Sequence, residues 1–349
     1  MAYTTIDDPS QYFNTVLYTG NGGTQSITGV GFQPDWLAIK RRNAASGTQN
    51  MDSVRGAANK LAWNEITAEE APGNILSSFD TDGFAVGNSA AVNGSSDTFV
   101  AWNWLAGTSF SNDASSTGIG SLDSSGSVNE TAGFSIVSYT GNETASTIKH
   151  GLSTTPSMII VKGRIADRNW IVGHQSQGWS KSASMDGTGA FSSQTHWNNT
   201  APTSSVFSIE GGSNSNVNTN GAGYIAYCFS ERQGYSKMGS YTGNGNVDGP
   251  FVYTGFRPAW VMTKESSGTG HWRIRDNKRF DQINPIDKVL YANANTSETD
   301  EDNTDFLSNG FKLRTTGGEN NGSGDTYIYM AFAEAPFVTA GTKAAGTAR

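Results

Sequence analysis

The sequence predicts an all-β chain, and three observations carry the prediction. Glycine supplies 42 of 349 residues while charged side chains make up only 15%, against about 7% and about 25% in ordinary domains. Phe, Trp and Tyr together reach 11%, so a packed core is available and disorder is excluded. Short runs rich in β-formers are separated by turn signals every 8 to 12 residues. Helical bundles and coiled coils lack this much glycine and need more Glu, Lys and Leu.

The elements recur in one order. Tyr-Thr-Gly-Asn stands at Tyr18–Asn21, Tyr139–Asn142 and Tyr241–Asn244. A proline follows 16, 17 and 17 residues after each tyrosine, at Pro34, Pro156 and Pro258. Six residues on comes a lysine, Lys40, Lys162 and Lys264, closing an apolar run such as Ser157-Met158-Ile159-Ile160-Val161. A run of that kind fits a strand buried on both faces. Phe84, Phe207 and Phe311 then precede, by 15 to 17 residues, the aromatic strands Phe99–Trp104, Tyr224–Phe229 and Tyr327–Phe332. The chain therefore divides into repeats at residues 1–107, 133–233 and 234–338. Between the first two lies a Ser/Gly-rich stretch, 108–132, expected as a linker or long loop. Residues 339–349 form a small polar tail.

Each repeat of roughly 100 residues is expected to hold seven or eight strands in two packed sheets, a β-sandwich. Proline at a strand entrance leaves the ladder intact. Asp82-Gly83, Asn93-Gly94 and Asn309-Gly310 read as hairpin turns. The stretch 59–71 suggests a helix in the first repeat alone. The second and third repeats adjoin without a linker and are expected to form a stiff pair, with the first on a looser tether.

The charge count narrows the function. With 23 Lys plus Arg against 31 Asp plus Glu, a net of −8, no basic face for duplex nucleic acid is expected. No apolar run is long enough to span a membrane, and the opening MAYTTIDDPS carries no secretory pattern. The lone Cys228 sits in an apolar strand and reads as an inert buried thiol of a chain made in a reducing cytoplasm. His150, His174, His196 and His271 do not recur between repeats, and no Gly-x-Ser-x-Gly elbow accompanies them. They read as loop or surface histidines rather than catalysts.

Glu69 and Glu70, or Asp80 and Asp82, could suggest a glycosidase pair, but neither pair repeats. Asp80-Thr81-Asp82-Gly83 and the acidic run at residues 300–305 offer calcium-type oxygens without EF-hand spacing, and read as solvated loops. Trp36, Met158 and Trp260 occupy matching positions, so bulk rather than a stacking platform is being kept. The lysines Lys40, Lys162 and Lys264 are expected to cap strand ends or pair locally, the alternative being contact with a neighbouring subunit. Asp52 with Arg55 and Asp276 with Arg279 suggest buried ion pairs. No catalytic, cofactor-binding or metal-binding residue is assigned.

Longer motifs add a resemblance. Tyr3–Ser10, Leu17–Gly22, Gly31–Pro34, Asp52–Gly56, Ser78–Phe84 and Val100–Trp104 resemble a family of virion proteins from tailed phages of aquatic bacteria. So do Ala201–Phe207, Tyr224–Phe229 and Gly249–Pro258. The resemblance implies concanavalin-A-like, jelly-roll-type sandwiches and a structural, tail-fibre or appendage role on the particle surface. It carries no catalytic residue. The expectation is a non-enzymatic virion protein, without the basic face that genome contact needs, that binds a host glycan or surface receptor and assembles with other virion subunits as a closed homo-oligomer. A capsid decoration or tail-assembly protein is the competing expectation, and a glycan depolymerase the third.

Overall fold

The computed structural model describes residues 3–213, 215–280 and 284–339, leaving aside the side chain of Asp302. The expected tail at 339–349 therefore lies, past Thr339, outside the described residues. The chain is all-β, built of antiparallel sheets, and its only α-helices among the described residues are the four-residue turns Ala90–Asn93, Ala114–Thr117 and Gly318–Asn321. No helix among them is long and apolar enough to cross a membrane.

The same strand order recurs in three large sheets. In the first repeat it runs Phe13–Thr19, Thr98–Trp104, Trp36–Arg41, Gln49–Asp52, Leu61–Ala62. In the second, Phe134–Thr140, Gly223–Phe229, Met158–Gly163, Ile171–His174 and Lys181–Ser184 lie in that order, and in the third Ser236–Thr242, Thr326–Pro336, Phe256–Glu265, Arg273–Asp276 and Ile286–Tyr291. Matching registers confirm the correspondence: Trp36 pairs with Asp52, Met158 with His174 and Trp260 with Asp276. A smaller sheet covers one face in each case, formed by Gln25–Thr28, Gly83–Val86 and Leu76–Asp80 in the first repeat and by Ser146–Lys149 with Val206–Ile209 in the second. In the third, the covering strands Thr299–Leu307, Gly310–Leu313 and Phe251–Tyr253 continue from the large sheet through Ile286–Tyr291.

Successive residues of a strand face opposite ways, and here both faces are buried. Leu37 and Ile39 point into the first repeat's own core, whereas Trp36 and Ala38 point into a core fed by all three repeats. Ile159 and Val161 against Met158 and Ile160 repeat the division, as do Val261 and Trp260. That explains the unbroken apolar runs. The shared core is aromatic: Trp36 lies 4.4 Å from Trp104 and 4.5 Å from Tyr227, Trp104 lies 5.7 Å from Trp260, and Phe229 lies 6.1 Å from Phe332. Such ring pairs add to area burial when tilted or edge-on.

Several expectations are corrected. Residues 108–132 are not a linker. Thr108–Asn112 and Ser124–Asn129 form an edge hairpin, the latter strand pairing with Phe134–Thr140 from Ser124↔Tyr139 to Asn129↔Phe134. Its Ser and Thr suit a solvated edge strand, which composition cannot tell from a loop. The first repeat is consequently not on a loose tether: it shares its core with both others. Residues 59–71 hold no helix. Leu61–Ala62 is a strand, Trp63 is buried, and Lys60 and Glu70 exchange backbone hydrogen bonds across the loop. Asn93-Gly94 ends a short helical turn instead of making a hairpin, whereas Asp82-Gly83 and Asn309-Gly310 do turn hairpins, closed by Asp80↔Gly83 and Leu307↔Gly310.

Candidate functional site

The repeated motifs turn out to be fasteners. In Tyr-Thr-Gly-Asn, the tyrosine hydroxyl donates to a distant carbonyl each time: Tyr18 to Val92 at 2.6 Å, Tyr139 to Val217 at 2.8 Å and Tyr241 to Asn320 at 2.9 Å. The asparagine N–H donates to a buried carboxamide, Asn21 to Asn93, Asn142 to Asn218 and Asn244 to Asn321, at 2.9 Å in all three. Between them the glycine must stay bare, since a Cβ on Gly20, Gly141 or Gly243 would overlap the facing backbone. The receiving asparagines escaped sequence reading because they lie 72 to 77 residues downstream.

The recurrent lysines are buried. The Lys40 ammonium donates to Ser46 O at 3.0 Å and to Ala294 O, in the third repeat, at 2.7 Å. Lys162 reaches Ile66 O in the first repeat at 2.6 Å, and Lys264 reaches Glu265 O and Gly268 O. Burial pulls Lys40 down to about 7, with Arg279 adding repulsion, and Lys162 and Lys264 down to about 8. Lys40 and Lys162 therefore tie repeats together within one chain, whereas Lys264 stays within the third repeat.

The Asp–Arg pairs are buried, as expected. Asp52–Arg55 and Asp276–Arg279 each close at 2.5 Å with no side-chain exposure. Each belongs to a joint. Arg55 meets Glu69, which also holds Arg164 of the second repeat at 2.8 Å. Arg279 meets Glu298, which holds Arg42 of the first repeat at 2.9 Å. Glu69 is thereby a joint residue and not half of a glycosidase pair, while Glu70 pairs with Lys60 at 3.0 Å. Asp80 accepts from Ser78 Oγ and Asp82 from the N–H groups of Gly29 and Gly31. The acidic run is not a loop but part of the strand Thr299–Leu307, with Asp300 on Lys288, Glu301 on Arg273 and Asp305 on Arg314. Among the described residues no cluster of three metal-type ligands occurs.

Two of the histidines, His150 and His174, are buried rather than on the surface, while His196 and His271 are half-buried in loops. Burial holds His150 and His174 at about 4 and keeps both neutral at pH 7. His150 Nε2 faces Thr203 O at 3.2 Å, and His174 Nδ1 accepts from Ser176 N. His271 stacks on Tyr291 with ring centroids 4.6 Å apart. Cys228 is fully buried, which pushes its thiol well above the usual range.

Two open clefts lie on the second repeat. One, of about 580 Å³, lies between the edge hairpin and Phe134–Thr140, and includes Asp113 and Asp123, whose carboxylates already accept from Ser116 N and Ala114 N. The other, of about 430 Å³, is lined by Ser182, Ser184, Gln194, His196 and Asn216 around Gly187 and Gly189. At its floor Ser182 Oγ and His196 Nδ1 are 2.8 Å apart, and His196 Nε2 stands 3.9 Å from Glu210 Oε1. These are the members of an acyl-transfer triad without its geometry. The His–Glu separation exceeds hydrogen-bond reach, the hydroxyl sits on the opposite nitrogen from that in the usual triad, and Glu210 is engaged by Ser215 Oγ at 2.9 Å and by Thr195 Oγ1. Burial lowers His196 despite the pull of Glu210. The arrangement offers neutral hydrogen-bonding groups.

Over residues 8–336 the sequence matches a family described as a domain of unknown function, DUF7483. The chain belongs to this family. The DUF7483 match spans all three repeats in one piece, in keeping with a core shared among them. No curated protein and no solved structure matches the chain.

Proposed function

We propose that this DUF7483 chain is a non-enzymatic virion protein of a tailed bacteriophage, made in the host cytoplasm and displayed on the particle. In this reading it consists of three tandem concanavalin-A-like sandwich domains and serves as a tail fibre or appendage that binds a host glycan or surface protein. It would assemble with other virion subunits, as a closed homo-oligomer. The motif resemblance supports the virion setting. The observation that carries recognition is the uncharged, hydrogen-bonding lining of the cleft at Ser182, Gln194 and Asn216, a chemistry suited to polyhydroxy ligands.

Immunogold electron microscopy of intact virions, with antibody against the purified chain, tests the reading. Label on the tail or its fibres is the expected result. Label spread over the head would make this a capsid decoration and end the receptor reading. Sugar release from host polysaccharide by the purified protein would instead make it a depolymerase.

A further inference from the structure

We infer that the cleft of the second repeat around Gly189 is a subsite for one uncharged saccharide unit, an inference that rests on the recognition reading above. The groups facing it form a set of donors and acceptors without net charge. Asn216 commits its Oδ1 to Asn169 N at 3.2 Å, and no hydrogen bond among the described residues holds its Nδ2, which is left to donate. Ser182 Oγ and His196 Nδ1 share a hydrogen bond at 2.8 Å, and in either imidazole tautomer the Ser182 oxygen keeps a lone pair with which to accept. Ser184 and Gln194 add a hydroxyl and a carboxamide.

The charges nearby are already answered. Asp186 accepts from Asn169 Nδ2 and from Trp170 N at 2.6 Å, and Glu210 accepts from Ser215 and Thr195. An anionic ligand would find no counter-charge in a lining without Lys or Arg, and an apolar one would strand the polar lining. Gly187, Gly189 and Ala190 keep the wall free of bulk. The volume, about 430 Å³, takes a sugar ring with its first water shell. In the other two repeats the matching place is occupied differently. Their corresponding loops are filled by Glu69 and Glu298 reaching to the next repeat, whereas the second repeat inserts the short strand Ser192–Ser193 and the turn carrying His196.

The test uses the full chain and the methyl glycosides of glucose, galactose, mannose and N-acetylglucosamine in saturation-transfer NMR. At least one should bind, and Gly189→Trp should weaken it at least tenfold. A Cβ at Gly189 meets nothing within 4 Å, so the indole enters the cleft and not the core, and an unchanged melting temperature verifies that. Gln194→Ala, at the rim, should weaken the same glycoside severalfold. Absence of binding by all four glycosides, or binding undiminished in Gly189→Trp, overturns the inference. Host cells bound equally by wild type and Gly189→Trp would overturn the cleft while leaving recognition standing. Glycoside binding by a protein labelled only on heads would support the cleft and overturn the virion-receptor reading.

Discussion

Two of the three joints between repeats are made with ions, and the third is made without them. Where the first repeat meets the second, Asp52 accepts from Tyr227 Oη at 2.6 Å while Glu69 bridges Arg55 and Arg164. Where the third meets the first, Asp276 accepts from Trp102 Nε1 at 3.0 Å while Glu298 bridges Arg279 and Arg42. Where the second meets the third, His174 replaces the aspartate in register, and Phe191 replaces the glutamate, its N–H donating to Ser266 O at 3.1 Å as Glu69 N does to Arg164 O at 2.7 Å and Glu298 N to Arg42 O at 2.8 Å. Phe191 packs beside Trp272, whose Nε1 donates to Ser184 O. The backbone clasp is common to all three joints; the side chains that fill it are exchangeable. A buried ion network and an apolar plug of similar size can serve the same place because the Coulombic gain of the former is largely offset by desolvation.

The comparison is most sharply broken by removing one ion. Arg279→Met or Arg55→Met leaves a buried carboxylate uncompensated and should cost about 3–5 kcal/mol in urea unfolding. A loss below about 1 kcal/mol would mean that the joints do not depend on these pairs. Phe191→Ala at the third joint should cost a comparable 3–5 kcal/mol by cavity formation, and a much smaller loss would show that joint to be loose. Glu298→Gln keeps shape and removes charge. It should cost about 1.5–3 kcal/mol, the worth of hydrogen bonds to a charged partner.

Acid should act through the third joint. His174 titrates near 4 when folded against an ordinary 6.5, so between those values the unfolded chain binds the extra proton. Stability then falls as pH drops from about 6.5 to about 4, with His150 contributing in the same sense. His174→Gln should flatten this slope in melting temperatures taken across that window, and an unchanged slope would remove His174 from the account. The lysines act at the other end. Lys40, lowered to about 7, should make stability rise as pH climbs from about 7 towards 10. The smallest effect is ionic strength: because Asp52–Arg55 and Asp276–Arg279 are without exposure, raising salt from 0.05 to 0.5 M should change stability by less than about 0.5 kcal/mol, screening being a property of solvated charges.

Much of this was legible in the chain and some was not. The unbroken run Ile159-Ile160-Val161 fitted a doubly buried strand, because it is short and apolar on both faces. Asp52–Arg55 and Asp276–Arg279 showed ion pairs by recurrence. What recurrence does not convey is what faces a strand from outside its repeat, so the shared core behind Trp104, Tyr227 and Phe332 stayed hidden. Residues 108–132 misled because an edge strand buries few side chains and needs little apolar character. Residues 59–71 misled because Ala, Leu, Lys and Glu, all good helix formers, gather there without Gly or Pro, whereas Ile66 O in fact serves Lys162. The cleft was invisible, being assembled from Asn169, Ser182, His196 and Asn216 over 48 positions.

One carbonyl has a topological consequence. Gly255 O accepts from Tyr3 Oη at 2.7 Å and from Phe337 N at 3.3 Å, so segments near the two ends of the described residues are stitched to one point of the third repeat. With that seam drawn together, the backbone is close to a covalent circle. Ligating it there and cutting it afresh between the second and third repeats would give a permuted molecule with the same contacts, and the place where the thread is severed would matter less than the circle it completes.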